Sequence, residues 1–255
     1  MQRALLSRLI HRDLSNAQHQ TNVHKFYEIP YPKDGASFFT HPFKSPQFTP
    51  LDPSIHKPLT PESFLQSKLR WVTLGGQYDW TAKIYPSEAP PPFPADVRQL
   101  LEDIWPGMKP QAAIVNFYSP GDRLSVHRDV SEECDRPLVS ISIGCEALVV
   151  CGLSEAIHGE ESTAEGAPCK AVAVRLRSGD AVVMSGPSRF AWHGVPQVIK
   201  GTCPDDLESW PAPRDVEGAA LDNRISTEGE EHSYEQWRHW MATKRININV
   251  RQMWA

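Results

Sequence analysis

Residues 245–251 read Arg-Ile-Asn-Ile-Asn-Val-Arg, and that strict alternation permits little but a β-strand with two unlike faces. Ile246, Ile248 and Val250 make one face, while Arg245, Asn247, Asn249 and Arg251 make the other. Burying two guanidinium groups and two amides is costly unless an anion meets them. A dicarboxylate supplies that partner, because a planar guanidinium holds a carboxylate through two hydrogen bonds. The alternative is an edge strand whose arginines point to water.

Further β-type runs occupy 112–118, 138–143, 147–151, 171–176 and 181–184, with Pro120-Gly121-Asp122 and Ser178-Gly179-Asp180 as turns between them. Val97, Leu100, Leu101 and Ile104 recur at helical spacing and predict a helix over 94–105, with Pro94 and Asp96 suited to its start. Tyr234, Trp237, Trp240 and Met241 predict a second helix over 232–243. Many short strands following helical segments give an α+β, mainly β class: a double sheet with helices packed outside.

The chain has 255 residues, 40% of them hydrophobic, and shows neither an internal repeat nor a clean linker, so one structural domain is expected. Within it, 1–111 reads as a helical and extended region and 112–255 as the β core. Prolines cluster over 27–61 and 86–94, but Phe38, Phe39, Phe43 and Phe48 lie among them and need a core to pack in. Leu5, Leu6, Leu9 and Ile10 share one helical face near the N-terminus, which reads as a surface helix in preference to a targeting peptide. The net charge of −5 gives no global nucleic-acid signature. Much of the negative charge sits in 155–165 and 205–231, the second read as a long loop, so the remainder is nearer neutral. Five cysteines without a C-x-x-C pair argue against a disulfide framework and a structural zinc site. No apolar run approaches the roughly 18 residues of a membrane span.

The candidate chemistry starts at His127-Arg128-Asp129. A histidine and a carboxylate two residues apart on an extended segment point to the same side and can reach one metal ion. His193, which follows the strand and turn over 181–189, is the best third ligand. Two histidines and a carboxylate leave coordination positions open, as a non-haem Fe(II) oxygenase requires. His11-Arg12-Asp13-Leu14 matches the start of a kinase catalytic loop, but residue 18 is Gln, no Gly-rich loop precedes it and no D-F-G follows, so it reads as a helix face. Asn116 and Tyr118 share one strand face and offer hydrogen bonds to a polar ligand.

Taken in order, these segments resemble the AlkB family from about Trp71 to the C-terminus. N-x-Y and P-G-D-x-L-x-x-H-x-D stand at 116–129, S-I-S-I-G at 140–144, S-G-D at 178–180, S-R-x-x-x-H-G-V at 188–195 and R-x-N-x-x-x-R at 245–251. Ser131-Glu132 and the closing 244–252 look most like its eukaryotic homologue-1 branch, fungal members included. The resemblance implies a double-stranded β-helix core, jelly-roll-like, with flanking helices. It implies Fe(II) on His127, Asp129 and His193, and 2-oxoglutarate held by Arg245, Asn116 and Tyr118 with Asn247 nearby. Arg251 would be a second anchor beside the metal, and O2 the other cosubstrate. Trp71 and Tyr78 match the spacing of the family's aromatic nucleotide-recognition lid, here over about 65–85 with Gly75 and Gly76 as its turn. Where bacterial members carry a base-contacting acid, this chain has Ser131. Lys68, Arg70, Arg123, Arg128 and Arg189 are candidate phosphate contacts.

The implied activity is oxidative demethylation of N-methylated bases in DNA or RNA, such as N-methyladenine in DNA or modified tRNA. The implied partner is nucleic acid, with no membrane, and the expected state is a monomer. A protein-directed oxygenase and a nucleic-acid reader without turnover share the same metal residues and stay open. The implied location is intracellular, in nucleus or cytoplasm, with the mitochondrion left open.

Overall fold

The 245–251 segment is a strand, and it lies in the middle of a sheet, so the edge-strand alternative falls. A computed structural model of the protein describes residues 1–33, 35–45, 47–86, 89–153, 170–212 and 234–254. A small ladder joins β1 (Tyr27–Glu28) to β2 (Thr49–Pro50). The larger strands are β3 (Trp71–Gly75), β4 (Ala112–Tyr118), β5 (Leu124–His127), β6 (Leu138–Gly144), β7 (Ala147–Leu153), β8 (Lys170–Leu176), β9 (Ala181–Met184), β10 (Trp192–Val198) and β11 (Arg245–Arg251). They form a five-stranded sheet, β3-β4-β11-β6-β9, and a four-stranded sheet, β5-β10-β7-β8, antiparallel throughout. From β4 onward the chain passes back and forth between the two sheets, so residues distant in sequence meet in the space between them.

The two faces of the five-stranded sheet have different partners. Val72, Leu74, Val115, Phe117, Ile143, Ile246, Ile248 and Val250 are buried in one cluster with the N-terminal region. Leu6, Leu9 and Ile10 seal that cluster from a helix over Gln2–Leu6 that continues as π-turns through Ser7–Asp13. Each such side chain contributes roughly 1.5–3 kcal/mol on burial. The amphipathic N-terminus is therefore part of the core, and the H-R-D-L sequence sits on it as a helix face, with Arg12 paired to Asp13 and Asp96. The other sheet face carries Arg245, Asn247, Asn249 and Arg251 toward the four-stranded sheet.

Some expected elements change shape. The helix over 94–105 is present as Ala95–Ile104. The one expected over 232–243 is not continuous: residues 232–233 lie outside the described residues, and Glu235–Trp237 and Met241–Thr243 are separate 3-10 turns. His239, at φ +72°, breaks the segment. The break lets two buried indoles reach different acceptors: Trp237 Nε1 donates to the Phe39 carbonyl at 2.8 Å and Trp240 Nε1 to the Leu65 carbonyl at 3.1 Å. In the segment read as a long acidic loop, Asp205–Glu208 is a helical turn that buries Leu207. Residues 213–231 of that loop, like the acidic 155–165, are outside the described residues. Trp71–Gly75, expected within the lid, is a strand of the large sheet, because Val72, Thr73 and Leu74 are all buried there.

Candidate active site

Strand register brings the two histidines together. His193 on β10 is the direct partner of His127 on β5, and their ring centroids are 4.4 Å apart. The next aligned pair is Val195 with Leu124, so β5 bulges between 124 and 127. Gly194 faces that bulge: a Cβ there would lie 3.0 Å from the Leu124 carbonyl oxygen. The Nδ1 atoms of His127 and His193 lie 2.9 and 3.1 Å from the Ser125 and Ala191 carbonyls. Nδ1–H donation in that geometry leaves each Nε2 lone pair free toward Asp129, 3.9 and 3.8 Å from its carboxylate oxygens. The ligand atoms of all three residues fall within 4.8 Å of one another, which suits one metal ion. Burial holds the His193 pKa below its ordinary value, favouring the neutral ring that a metal needs. Burial raises that of Asp129, but Arg251 and the two histidines outweigh it and keep the carboxyl ionised.

Behind the triad lies a buried ionic chain that the sequence reading did not assemble. Arg251 reaches the Asp129 carboxylate at 3.4 Å, the Glu132 carboxylate at 3.0 Å and the Tyr85 hydroxyl at 3.4 Å. The second oxygen of Glu132 takes Arg189 at 2.9 Å. Arg189 in turn donates to the Asp129 and Arg136 carbonyls. With its side chain 1% exposed, Arg189 is no phosphate contact; it holds the backbone of Asp129 and the Glu132 carboxylate. The signal for Glu132 and Arg189 was present in Ser131-Glu132 and S-R-x-x-x-H, but nothing in spacing alone says that the two meet.

The polar face of β11 looks into a cavity lined by both sheets, among them Ser140, Cys151, His193, Arg245, Asn247 and Asn249. Tyr118 pairs with Arg245 and Asn116 with Asn247 in the β4–β11 register, so all four project to this side. Arg245 donates one hydrogen bond, to Ser142 Oγ at 3.0 Å, and its Nε and Nη1 are buried without a partner. The Tyr118 hydroxyl is likewise buried and unpartnered. Burial pushes the Tyr118 pKa up to about 12, so it remains a hydrogen-bond donor. Orphaned buried donors cost free energy, and a carboxylate placed between them removes that cost. The donor set therefore fits an acidic cosubstrate beside the metal. Asn247 uses its amide N–H groups on Ser140 Oγ and the Ile141 carbonyl, which fixes its side chain.

Above the cluster, Trp71, Tyr78, Trp80 and Tyr85 form an aromatic group, with centroid separations of 5.1 Å (Trp71–Trp80), 4.8 Å (Tyr78–Trp80) and 5.1 Å (Tyr78–Tyr85). Trp80 and Tyr85 were not foreseen. Ser131 Oγ lies 3.3 Å from Tyr78 Oη, tying the lid to the segment that carries Asp129. The expected tight turn is at Gly75, φ +64°, where a Cβ would sit 2.2 Å from the Gln111 carbonyl oxygen. Of the other cations, Lys68 and Arg123 are exposed, Arg70 pairs with Asp122, and Arg128 lies over the Trp192 ring.

The 2OG-Fe(II) oxygenase superfamily matches residues 24–251 of the chain. A relative in Pyricularia oryzae described as an N6-methyladenosine RNA demethylase is 50% identical, over 99% of this chain and 71% of its own length. A Cryphonectria parasitica protein of the same description is 49% identical, over 91% of this chain and 99% of its own. A tRNA demethylase of Schizosaccharomyces pombe is 35% identical, over 99% of this chain and 75% of its own.

Proposed function

The chain belongs to the AlkB family of Fe(II)- and 2-oxoglutarate-dependent oxygenases, in its eukaryotic homologue-1 branch, and we propose from that premise that it removes methyl groups oxidatively from nucleobases of DNA or RNA. N6-methyladenine in RNA is the first substrate to offer, given what the two fungal relatives near 50% identity are described as doing. The observation that carries the reading is the pairing of a two-histidine, one-carboxylate cluster with the unpartnered Arg245 and Tyr118 donors. We further infer that the two sheets are the walls of a double-stranded β-helix. Their antiparallel pairing and the passage of the chain between them support this.

His127, Asp129 and His193 would hold Fe(II) from one side, leaving the opposite side to 2-oxoglutarate and O2. Arg245 and Tyr118 would receive the distal carboxylate, with Asn116 and Asn247 along its length. Together the bound iron and 2-oxoglutarate supply O2-dependent hydroxylation of the methyl group, with succinate and CO2 as co-products. The chain's own part is positioning. Arg251 and Arg189 fix the Asp129 carboxylate and backbone. Trp71, Tyr78 and Trp80 stack the extruded base and exclude water. The hydroxymethyl group then leaves the base nitrogen as formaldehyde and the amine is restored.

The test is turnover with Fe(II), 2-oxoglutarate and ascorbate on methylated RNA, methylated DNA and tRNA. Formaldehyde and the demethylated nucleoside are read by mass spectrometry, with His127→Ala/Asp129→Ala as blank. Product lost in the blank is expected. Iron-dependent succinate without any nucleic-acid product would transfer the assignment to a protein substrate.

A further inference from the structure

The strands that carry the two histidines have a second feature that neither the metal cluster nor the lid uses. Arg128 lies between His127 and Asp129, and Trp192 immediately precedes His193. Because neighbouring strand residues point to opposite faces, the turn that aims the histidines at the metal sends Arg128 and Trp192 to the outer face of the four-stranded sheet. There the Arg128 guanidinium lies 4.9 Å from the Trp192 ring centroid. Among the described residues Arg128 has no carboxylate partner, and Trp192 keeps 41% of its surface exposed. Phe190, Val126 and Val130, within two residues of them in sequence, are also exposed. The lid leaves from the end of β3, and its Tyr78 is tied to Ser131, three residues from Arg128.

A cation without a carboxylate partner among the described residues, stacked on a half-exposed indole next to two metal-ligating residues in sequence, is more than an isolated apolar side chain on a polar surface. It suits a ligand that is both flat and anionic. A planar guanidinium can stack on an aromatic face and still present N–H groups at its edge to a phosphate. A nucleotide carries both features, a flat base and an adjoining phosphate.

We propose that Arg128 and Trp192 form a stacking subsite for the nucleotide adjacent to the target base in a single-stranded polynucleotide. The neighbouring base lies against the guanidinium–indole pair and its phosphate meets the guanidinium edge. A single strand is specified because in a duplex the adjacent base stays stacked on its own neighbours. The subsite rests on the demethylase reading for its context, but not for its test.

Binding of a fluorescein-labelled, unmethylated single-stranded oligonucleotide is measured by anisotropy. Turnover of the same strand carrying one methylated base is compared with that of the methylated mononucleotide. Trp192→Ala is expected to weaken strand binding about tenfold, within the range for one stacked base, and to lower the strand-to-mononucleotide ratio of kcat/KM by a similar factor. Trp192→Phe, which keeps a ring, restores most of both. Arg128→Ala is expected to reduce the salt dependence of strand binding by about one phosphate contact, a slope change of roughly 0.7. Equal losses on strand and mononucleotide, or strand binding unchanged in Trp192→Ala, would overturn the subsite. Strand binding through Trp192 without formaldehyde would leave the subsite standing and refute demethylation. Formaldehyde with strand binding indifferent to both Trp192 variants would do the reverse.

Discussion

Glu132 is the anion on which two buried guanidinium groups depend, and removing it should cost far more than a surface ion pair would. Its side chain is 1% exposed, as is that of Arg189, and Arg251 is 4% exposed. Glu132→Ala leaves Arg189 with only carbonyl acceptors and Arg251 with Asp129 and the Tyr85 hydroxyl, each at 3.4 Å. Deleting one partner of a buried pair costs about 3–5 kcal/mol, because the remaining charge stays out of water. At about 2–4 °C per kcal/mol for a domain of this size, the melting temperature should fall by roughly 6–20 °C. Glu132→Gln keeps the shape but only one of the two acceptor oxygens, and its NH2 then faces a guanidinium donor, so it should fall by less than Glu132→Ala but remain well below wild type. The decisive variant is Glu132→Met with Arg189→Met, which removes a charge of each sign and refills the space with apolar side chains. It should unfold closer to wild type than Glu132→Met alone, by scanning calorimetry on the metal-free protein. A shift within about 2 °C for Glu132→Ala, or a double variant no better than the single, would refute the claim that an uncompensated buried charge sets the cost.

Two further perturbations test other parts of the structure. Arg245→Met removes a buried guanidinium with two unpartnered nitrogens, so the cosubstrate-free protein should gain stability, by about 1–3 kcal/mol in urea unfolding. The same variant should lose the thermal stabilisation that wild type gains from 2-oxoglutarate; a less stable cosubstrate-free variant would show that the Arg245 donors are satisfied. His11 is packed against Phe39, Trp210 and Tyr234, and burial holds its pKa down at about 4 from 6.5. The folded state resists protonation that the unfolded chain accepts, so the contribution is complete above pH 6.5 and is lost as pH falls toward 4. A shift of that size is worth about 3 kcal/mol. Urea midpoints at neutral pH and near pH 4.5 should therefore differ less in His11→Phe than in wild type, and equal slopes would exclude His11 as the acid-sensitive group.

What the sequence made legible were features written in short-range periodicity. The alternation of 245–251 announced a strand with one polar face, and the apolar spacing of Val97 and Leu101 announced the helix that buries them. The His127–Asp129 spacing announced two ligands on one side. Other features depend on contacts between distant segments, which local pattern does not encode. Arg189 looked like any surface arginine until Glu132, 57 residues earlier, was found beneath it. The 232–243 helix failed for a related reason: its aromatic spacing was helical, but Trp237 and Trp240 answer to the Phe39 and Leu65 carbonyls, and those acceptors pull the segment apart. Trp80 and Tyr85 were missed because a lid has no period to read. Their role follows only from where β3 ends and where Arg251 and Ser131 lie. The same logic explains why Trp192, and the pairing of the candidate phosphate contact Arg128 with it, escape a motif search even though each residue adjoins a metal ligand. Motif spacing registers the residues that point inward, and in a strand every inward residue guarantees an outward neighbour whose partner is chosen by the fold.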